Sequence, residues 1–182
     1  VNRNFKYVGT LVGHNNGTIQ NCQVDTITAR IKSTITGSDF TMYFGGLVGY
    51  STSSANENKA QVSSCSVINI VDVQLIVDTT DGSNKHKSYC YAGGFIGGLD
   101  NTIISDSYVK NISKLKPQTK GYFCYSYAGG FIGQSNANVQ VSNSVVGGTL
   151  VLDPTTANAG SASERSTTSK NSFVVKHDKL NL

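Results

Sequence analysis

Apolar residues along this chain fall in short runs separated by clusters of Asn, Ser and Gly, and the runs recur in a fixed order. The pattern Tyr-x-Gly-[Gly/Thr]-[Leu/Phe]-[Val/Ile]-Gly occurs at 7–13, 43–49, 91–97 and 127–133, and the last two copies both read YAGGFIG. Its glycines are Gly9 and Gly13, then Gly45, Gly46 and Gly49, then Gly93, Gly94 and Gly97, then Gly129, Gly130 and Gly133. The first glycines of the four copies are spaced by 36, 48 and 36 residues. After each copy comes aliphatic-x-[Asn/Ser/Asp]-[Cys/Ser]-x-Val, starting at Ile19, Val62, Ile104 and Val141, and then a less regular apolar stretch such as 68–77, 112–115 or 150–152. Self-similarity at this period marks stacked repeats in which no single unit can bury its own apolar face.

Glycine pairs and an abundance of Val, Ile, Thr and Tyr disfavour helix and favour strands joined by turns. The pattern therefore predicts an all-β chain with three short strands and three turns per unit. Each strand lies parallel on its equivalent in the next unit, giving a parallel β-helix (β-solenoid) of about four to five coils. In the second motif, strict alternation would turn either the first aliphatic residue or the closing Val outward. A left-handed corner at Asn21, Ser64, Asp106 and Asn143 removes the conflict, because such residues bond local backbone and tolerate positive φ. Cys22, Cys65, Ser107 and Ser144 then point inward as a column of small residues. Repeated glycine allows close backbone approach or a bend, and Tyr7, Tyr43, Tyr91 and Tyr127 should stack as a ladder beside it.

Gly-Gly-Leu-Val-Gly at 45–49, with its variants at the other three sites and an Asn-Cys or Asn-Ser strand after each, resembles the GLUG motif. GLUG repeats occur in bacterial adhesins, in extensions of IgA-specific peptidases and in secreted or surface proteins of protists. The resemblance spans about residues 5–152, and it implies a right-handed β-helix in an extracellular or cell-surface setting. It transfers no catalytic residue. On this reading residues 1–152 form one solenoid domain of four repeats, and 153–182 are a Ser/Thr-rich loop with a partial fifth coil or terminal strand.

Charge adds little to the picture. Lys plus Arg number 15 against 11 Asp plus Glu, a net +4 in a chain only 14% charged, too dilute for a nucleic-acid footprint. Lys110, Lys114, Lys116 and Lys120 are the densest basic group and read as a solvated loop. No apolar run reaches the roughly 20 residues of a membrane-spanning helix, so membrane insertion is not expected, and no signal peptide opens the chain. Val1 in place of Met fits a processed form or a fragment.

Candidate chemistry is sparse. Cys22 and Cys65 share a repeat position in successive coils, within disulfide reach, while Cys90 aligns with Ser126 and Cys124 with Ser88. The four cysteines are thus either disulfide partners or buried thiols. His14, His86 and His177 are scattered and no CxxC occurs, so no metal or cofactor is expected. Asp72, Asp78 and Asp81 are the acidic cluster that a calcium-dependent or polysaccharide-cleaving β-helix would need, but Asp78 and Asp81 sit in a turn-like DTTDGSNK. The reading is therefore not an enzyme. An ice-binding Thr ladder fails, because Thr26 and Thr28 meet Asn69 and Val71. The sequons at Asn16 and Asn111 are candidate N-glycosylation sites, Asn16 in a turn and Asn111 in or near a strand. Tyr89, Tyr91, Tyr122, Tyr125 and Tyr127 could form a glycan platform if they face outward.

The expected function is a structural or adhesive repeat module of an extracellular surface protein or fibre. The alternative is a carbohydrate-binding or carbohydrate-cleaving β-helix. Asn171, Ser172, Phe173, Val174 and Val175 echo the strand at 143–146, and read as the second strand of an incomplete fifth coil. They would join one copy to the next, head to tail, or to neighbouring repeats of a longer chain.

Overall fold

The structure, a computed structural model, describes residues 3–54, 58–79, 86–136, 138–158 and 166–174. These residues are all-β, with no helix among them. The first repeat supplies β1 (Arg3–Gly9), β2 (Val12–Asn15), β3 (Thr18–Gln20) and β4 (Gln23–Thr34). The second supplies β5 (Asp39–Gly45), β6 (Val48–Ser51), β7 (Ala60–Ser63) and β8 (Ser66–Asp78). The third supplies β9 (Lys87–Gly93), β10 (Ile96–Leu99), β11 (Thr102–Ser105) and β12 (Tyr108–Gly121). In the fourth, the first two strands fuse into β13 (Phe123–Ser135), followed by β14 (Gln140–Ser142), β15 (Val145–Leu152) and β16 (Thr155–Asn158). The last is β17 (Ser166–Val174).

Every strand pairs in parallel with its repeat equivalent. One sheet runs out along β1-β5-β9, turns at β13 and returns along β10-β6-β2, so it nearly closes on itself. The second has the order β14-β11-β7-β3, and the third β15-β12-β8-β4, with β16 also on β12. Each of the first three repeats therefore contributes four strands where three were expected. The glycine motif is itself the bend between two strands, not the end of one.

Close approach explains why those positions are glycine. A Cβ on Gly97 would lie 2.6 Å from the backbone N and C of Phe44, and one on Gly49 would lie 2.5 Å from the backbone N of Val8. The outward and returning arms touch main chain to main chain there, and φ is not positive at either residue. The apolar residues that flank the glycines fill the interior: Phe44, Leu47, Val48, Phe95, Ile96 and Phe131 are all at most 2% exposed. Phe95 and Phe131 stack with ring centroids 4.7 Å apart.

The second motif behaves as its pattern requires. Asn21, Ser64, Asp106 and Asn143 have φ of 55°, 53°, 52° and 46°. Behind the corners at Ser64, Asp106 and Asn143, a Cys or Ser side chain links two repeats. Cys22, Cys65 and Ser107 donate backbone N–H bonds to Cys65 Sγ, Ser107 Oγ and Ser144 Oγ at 3.4, 3.2 and 3.3 Å. The same side chains donate to the carbonyl two residues back, as Ser107 Oγ does to Ser105 O at 2.7 Å. A small side chain that both donates and accepts is thus required, which is why only Cys and Ser occupy the column.

A second row of left-handed corners escapes the sequence pattern. Thr26, Asn69 and Asn111 have φ of 57°, 58° and 60°, and lie inside the long strands β4, β8 and β12. Each shifts the alternation by one, so that Val67 and Ile70 in β8 both face inward. A further bulge makes Thr28 pair with Asp72, not Val71.

Two substitution pairs test this account. Gly97→Ala should cost at least about 2 kcal/mol because backbone must move to admit the methyl, whereas Gly147→Ala, with nothing within 4 Å of its Cβ, should be nearly silent. Ser107→Leu should cost roughly 1 to 3 kcal/mol by overpacking, while the exposed Ser142→Leu should change the denaturant midpoint little. Equal shifts within either pair would contradict it.

Candidate functional site

Alternation along β5, β9 and β13 turns even-numbered residues such as Met42, Phe44, Cys90 and Ala92 into the core. The odd-numbered ones line the opposite face, where Tyr7, Tyr43, Tyr91 and Tyr127 occupy one register position. Their rings stack with centroids 5.8, 5.2 and 4.9 Å apart, as expected for parallel strands that place equivalent side chains one rung above the other. Two residues earlier runs an outer row: Phe5, Thr41, Tyr89 and Tyr125. Tyr89 and Tyr125 stack at 4.6 Å, and Tyr89 lies beside Tyr91 at 6.1 Å with the ring planes 5° from parallel. Of the tyrosines expected in a platform, Tyr122 stands apart. It sits between β12 and β13 and packs edge-on against Phe123 at 5.5 Å.

The returning arm closes over the inner ladder. Tyr50 packs on Tyr43 at 4.9 Å and on Tyr7 at 5.1 Å, and His14 on Tyr7 at 5.3 Å. Tyr43 donates its phenol O–H to Gln134 Oε1 at 2.7 Å. Burial, reinforced by the neighbouring phenols, pushes Tyr43 and Tyr91 well above the ordinary tyrosine range, so both stay neutral across physiological pH. The ladder thus faces away from the core yet lies in a crease.

Where Thr41 replaces an aromatic in the outer row, the face opens into a pocket of about 230 Å³. Phe5, Thr41, Tyr43, Tyr89 and Tyr91 line it, with Asp39, Lys87 and Gln134 supplying polar groups. Asp39 Oδ1 accepts the Lys87 backbone N–H at 2.8 Å and lies 3.6 Å from His86 Nδ1, so its carboxylate is held in place. The sequence offered no sign of this pocket beyond Thr41 standing between Phe5 and Tyr89 in the outer row.

The other candidates are dispersed. Asp72 accepts from Gln74 Nε2 at 3.1 Å and pairs with Lys114 at 3.2 Å, and these contacts, the Gln74 bond first, hold its carboxyl below the usual range. Asp78 ends β8, and Asp81 lies outside the described residues. The lysines are on a strand rather than a loop: Lys110 and Lys120 are exposed at the two ends of β12, and Lys116 pairs with Asp153 at 2.8 Å. Among the described residues no three His, Cys, Asp or Glu side chains gather as metal ligands, and no helix is long and apolar enough to cross a membrane.

Asn16 is exposed in the turn between β2 and β3, where a glycan would meet no packing. Asn111 lies within β12, and its amide nitrogen donates to Asn69 Oδ1 at 3.1 Å. A glycan on that nitrogen would break the contact. The 171–175 stretch is not the second strand of a fifth coil. Its described part belongs to β17, which pairs with β13 so that Ala128 meets Asn171 and Gly129 meets Ser172, the position of a glycine-motif strand. Val175 lies outside the described residues. The Ser/Thr-rich composition that reads as loop is compatible with an outermost strand, since main-chain bonds do the pairing and Thr favours extended backbone.

Cys22 and Cys65 do stack in register, but none of the four cysteines is joined in a disulfide. Burial raises the thiols of Cys65, Cys90 and Cys124, Cys90 most strongly. A thiol-specific reagent such as DTNB should therefore modify Cys22 alone in the folded chain, and the other three only after unfolding. Rapid labelling of Cys90 without denaturant would contradict that burial.

A scan against protein-family models matches none, and searches of curated proteins and of solved structures return no similar protein, so the GLUG resemblance rests on the motif residues themselves.

Proposed function

We propose that this chain is a structural or adhesive repeat module of an extracellular or cell-surface protein, coiled as a right-handed GLUG-type β-solenoid and extended by adding equivalent strands at its ends. The observation that carries this reading is the ladder arrangement. The tyrosine, Cys/Ser and main-chain ladders run from repeat to repeat and stop at β1, β2, β3 and β4, whose outer edges no described strand covers. At the other end β17 pairs with β13 on one side, and among the described residues nothing pairs on its second side. Open parallel edges template further pairing, and a partner that repeats the same register supplies matching ladders at β1 to β4, whereas on β17, where Lys170 stands opposite Tyr127, main-chain pairing continues the stack. That partner is a further repeat or another copy of the chain. Contacts of this head-to-tail kind do not close, so they grow filaments.

The reading assigns β17 as the junction, because its free edge presents the glycine-motif position that β1 of a following unit would continue. The full chain should form elongated oligomers that grow with concentration, seen by light scattering and electron microscopy. Deleting residues 166–182, which removes all of β17, should leave the β-type circular dichroism spectrum intact and abolish growth. A full chain that stays monomeric at high concentration would defeat the proposal, and a truncated chain that still polymerises would exclude this junction.

A further inference from the structure

Thr41 stands between the aromatic residues Phe5 and Tyr89 of its column, and the break leaves a pocket beside it. In the outer row Phe5 pairs with Thr41 and Thr41 with Tyr89. Phe5 and Tyr89 are thus two strand spacings apart, roughly 9.6 Å. Where the row is complete, Tyr89 and Tyr125 stack at 4.6 Å. The space beside Thr41 therefore admits one ring at ladder spacing on each side, in a pocket of about 230 Å³. Phe5 is 50% exposed, a large aromatic surface left at one wall of that space.

We propose that this missing rung is a subsite for one pyranose ring of a neutral glycan, inserted between Phe5 and Tyr89 over Thr41. A pyranose presents C–H groups from its two faces, which rest on aromatic faces as a stacked ring does, and hydroxyls around its rim. The rim of the pocket matches those hydroxyls. Asp39 only accepts, Lys87 donates, and the Thr41 hydroxyl does both. A purely aromatic guest would cover these groups without replacing their bonds to water, at a net cost. One carboxylate and one ammonium on the same rim cancel, so neither an anionic nor a cationic sugar is favoured. Apolar walls with a few fixed polar groups are the usual composition of small-molecule sites. The hydrogen bond from the Lys87 backbone to Asp39 fixes the acceptor before any guest arrives. This subsite is independent of how the module is extended at its ends.

Affinity electrophoresis of the full chain through gels containing hydroxyethyl cellulose, xyloglucan, galactomannan or laminarin tests the assignment. A sugar-free gel removes any contribution from self-association. At least one polysaccharide should retard the wild-type chain. Thr41→Tyr, which supplies the missing rung, should weaken that retardation by about tenfold or more while melting no lower than wild type. Phe5→Ala, at an exposed position, should weaken it comparably with the fold intact, and Asp39→Asn should weaken it without altering the stacked rings. If none of the four polysaccharides retards the wild-type chain, or if Thr41→Tyr and Phe5→Ala are retarded as strongly as wild type, the site is not a saccharide subsite. Displacement of the bound polysaccharide by p-cresol but not by methyl glucoside would likewise overturn the sugar in favour of an aromatic guest.

Discussion

Each residue in the repeated part of this chain must tolerate a near copy of itself about 4.8 Å away. In-register parallel pairing imposes that condition, and the rest of the structure follows from it. Tyrosine satisfies the condition by stacking, as the inner ladder from Tyr7 to Tyr127 does. Asparagine satisfies it by handing an amide proton to the next amide oxygen, as Asn111 does to Asn69. Cysteine and serine do so by accepting a backbone N–H from the neighbouring repeat while donating within their own. Charged residues do not satisfy it, since like charges directly opposite repel. Accordingly Asp25 stands opposite Ile68, and Ile68 opposite Lys110.

The same rule makes its exceptions informative. Thr41 is out of keeping with Phe5, Tyr89 and Tyr125, and a pocket opens beside it. Val71 is an extra residue relative to β4, and it is bulged out and exposed. The first exception leaves concave space with polar edges, whereas the second leaves only a solvated side chain. Departures from repeat identity thus differ in consequence according to whether the face they interrupt is a crease or an open surface. The crease exists because the two arms of the doubled sheet touch at Gly49 and Gly97, which holds the tyrosine face between them.

Much of the architecture was legible in order. The corners at Asn21, Ser64, Asp106 and Asn143, the inward Cys/Ser column and the tyrosine ladder were all deducible, because each rests on a residue type recurring at one repeat position. The second row of corners was not. Thr26, Asn69, Asn111 and the adjoining Gly148 share a left-handed backbone but not a common side chain, so no motif betrays them. Counting three strands per unit failed for a related reason: a glycine that permits a bend and a glycine that permits close packing look alike in sequence. Fragment 171–175 misled because Asn-Ser-Phe-Val-Val resembles a second-motif strand, while pairing on β13 is decided by main-chain edges that any extended segment can use.

What the sequence by itself determined is therefore the repeat: its period, its all-β character, its parallel stacking and which side chains meet their own kind. Those properties are set by residue identity at equivalent positions, and identity is written in the chain. Only the tertiary structure decided that the glycine-motif sheet doubles back on itself, that the tyrosines lie in its crease, and that Thr41, Asp39 and Lys87 share one pocket with Phe5 and Tyr89. These depend on how far apart two arms of main chain settle and on which side of each strand a neighbour arrives, and no local pattern carries those distances.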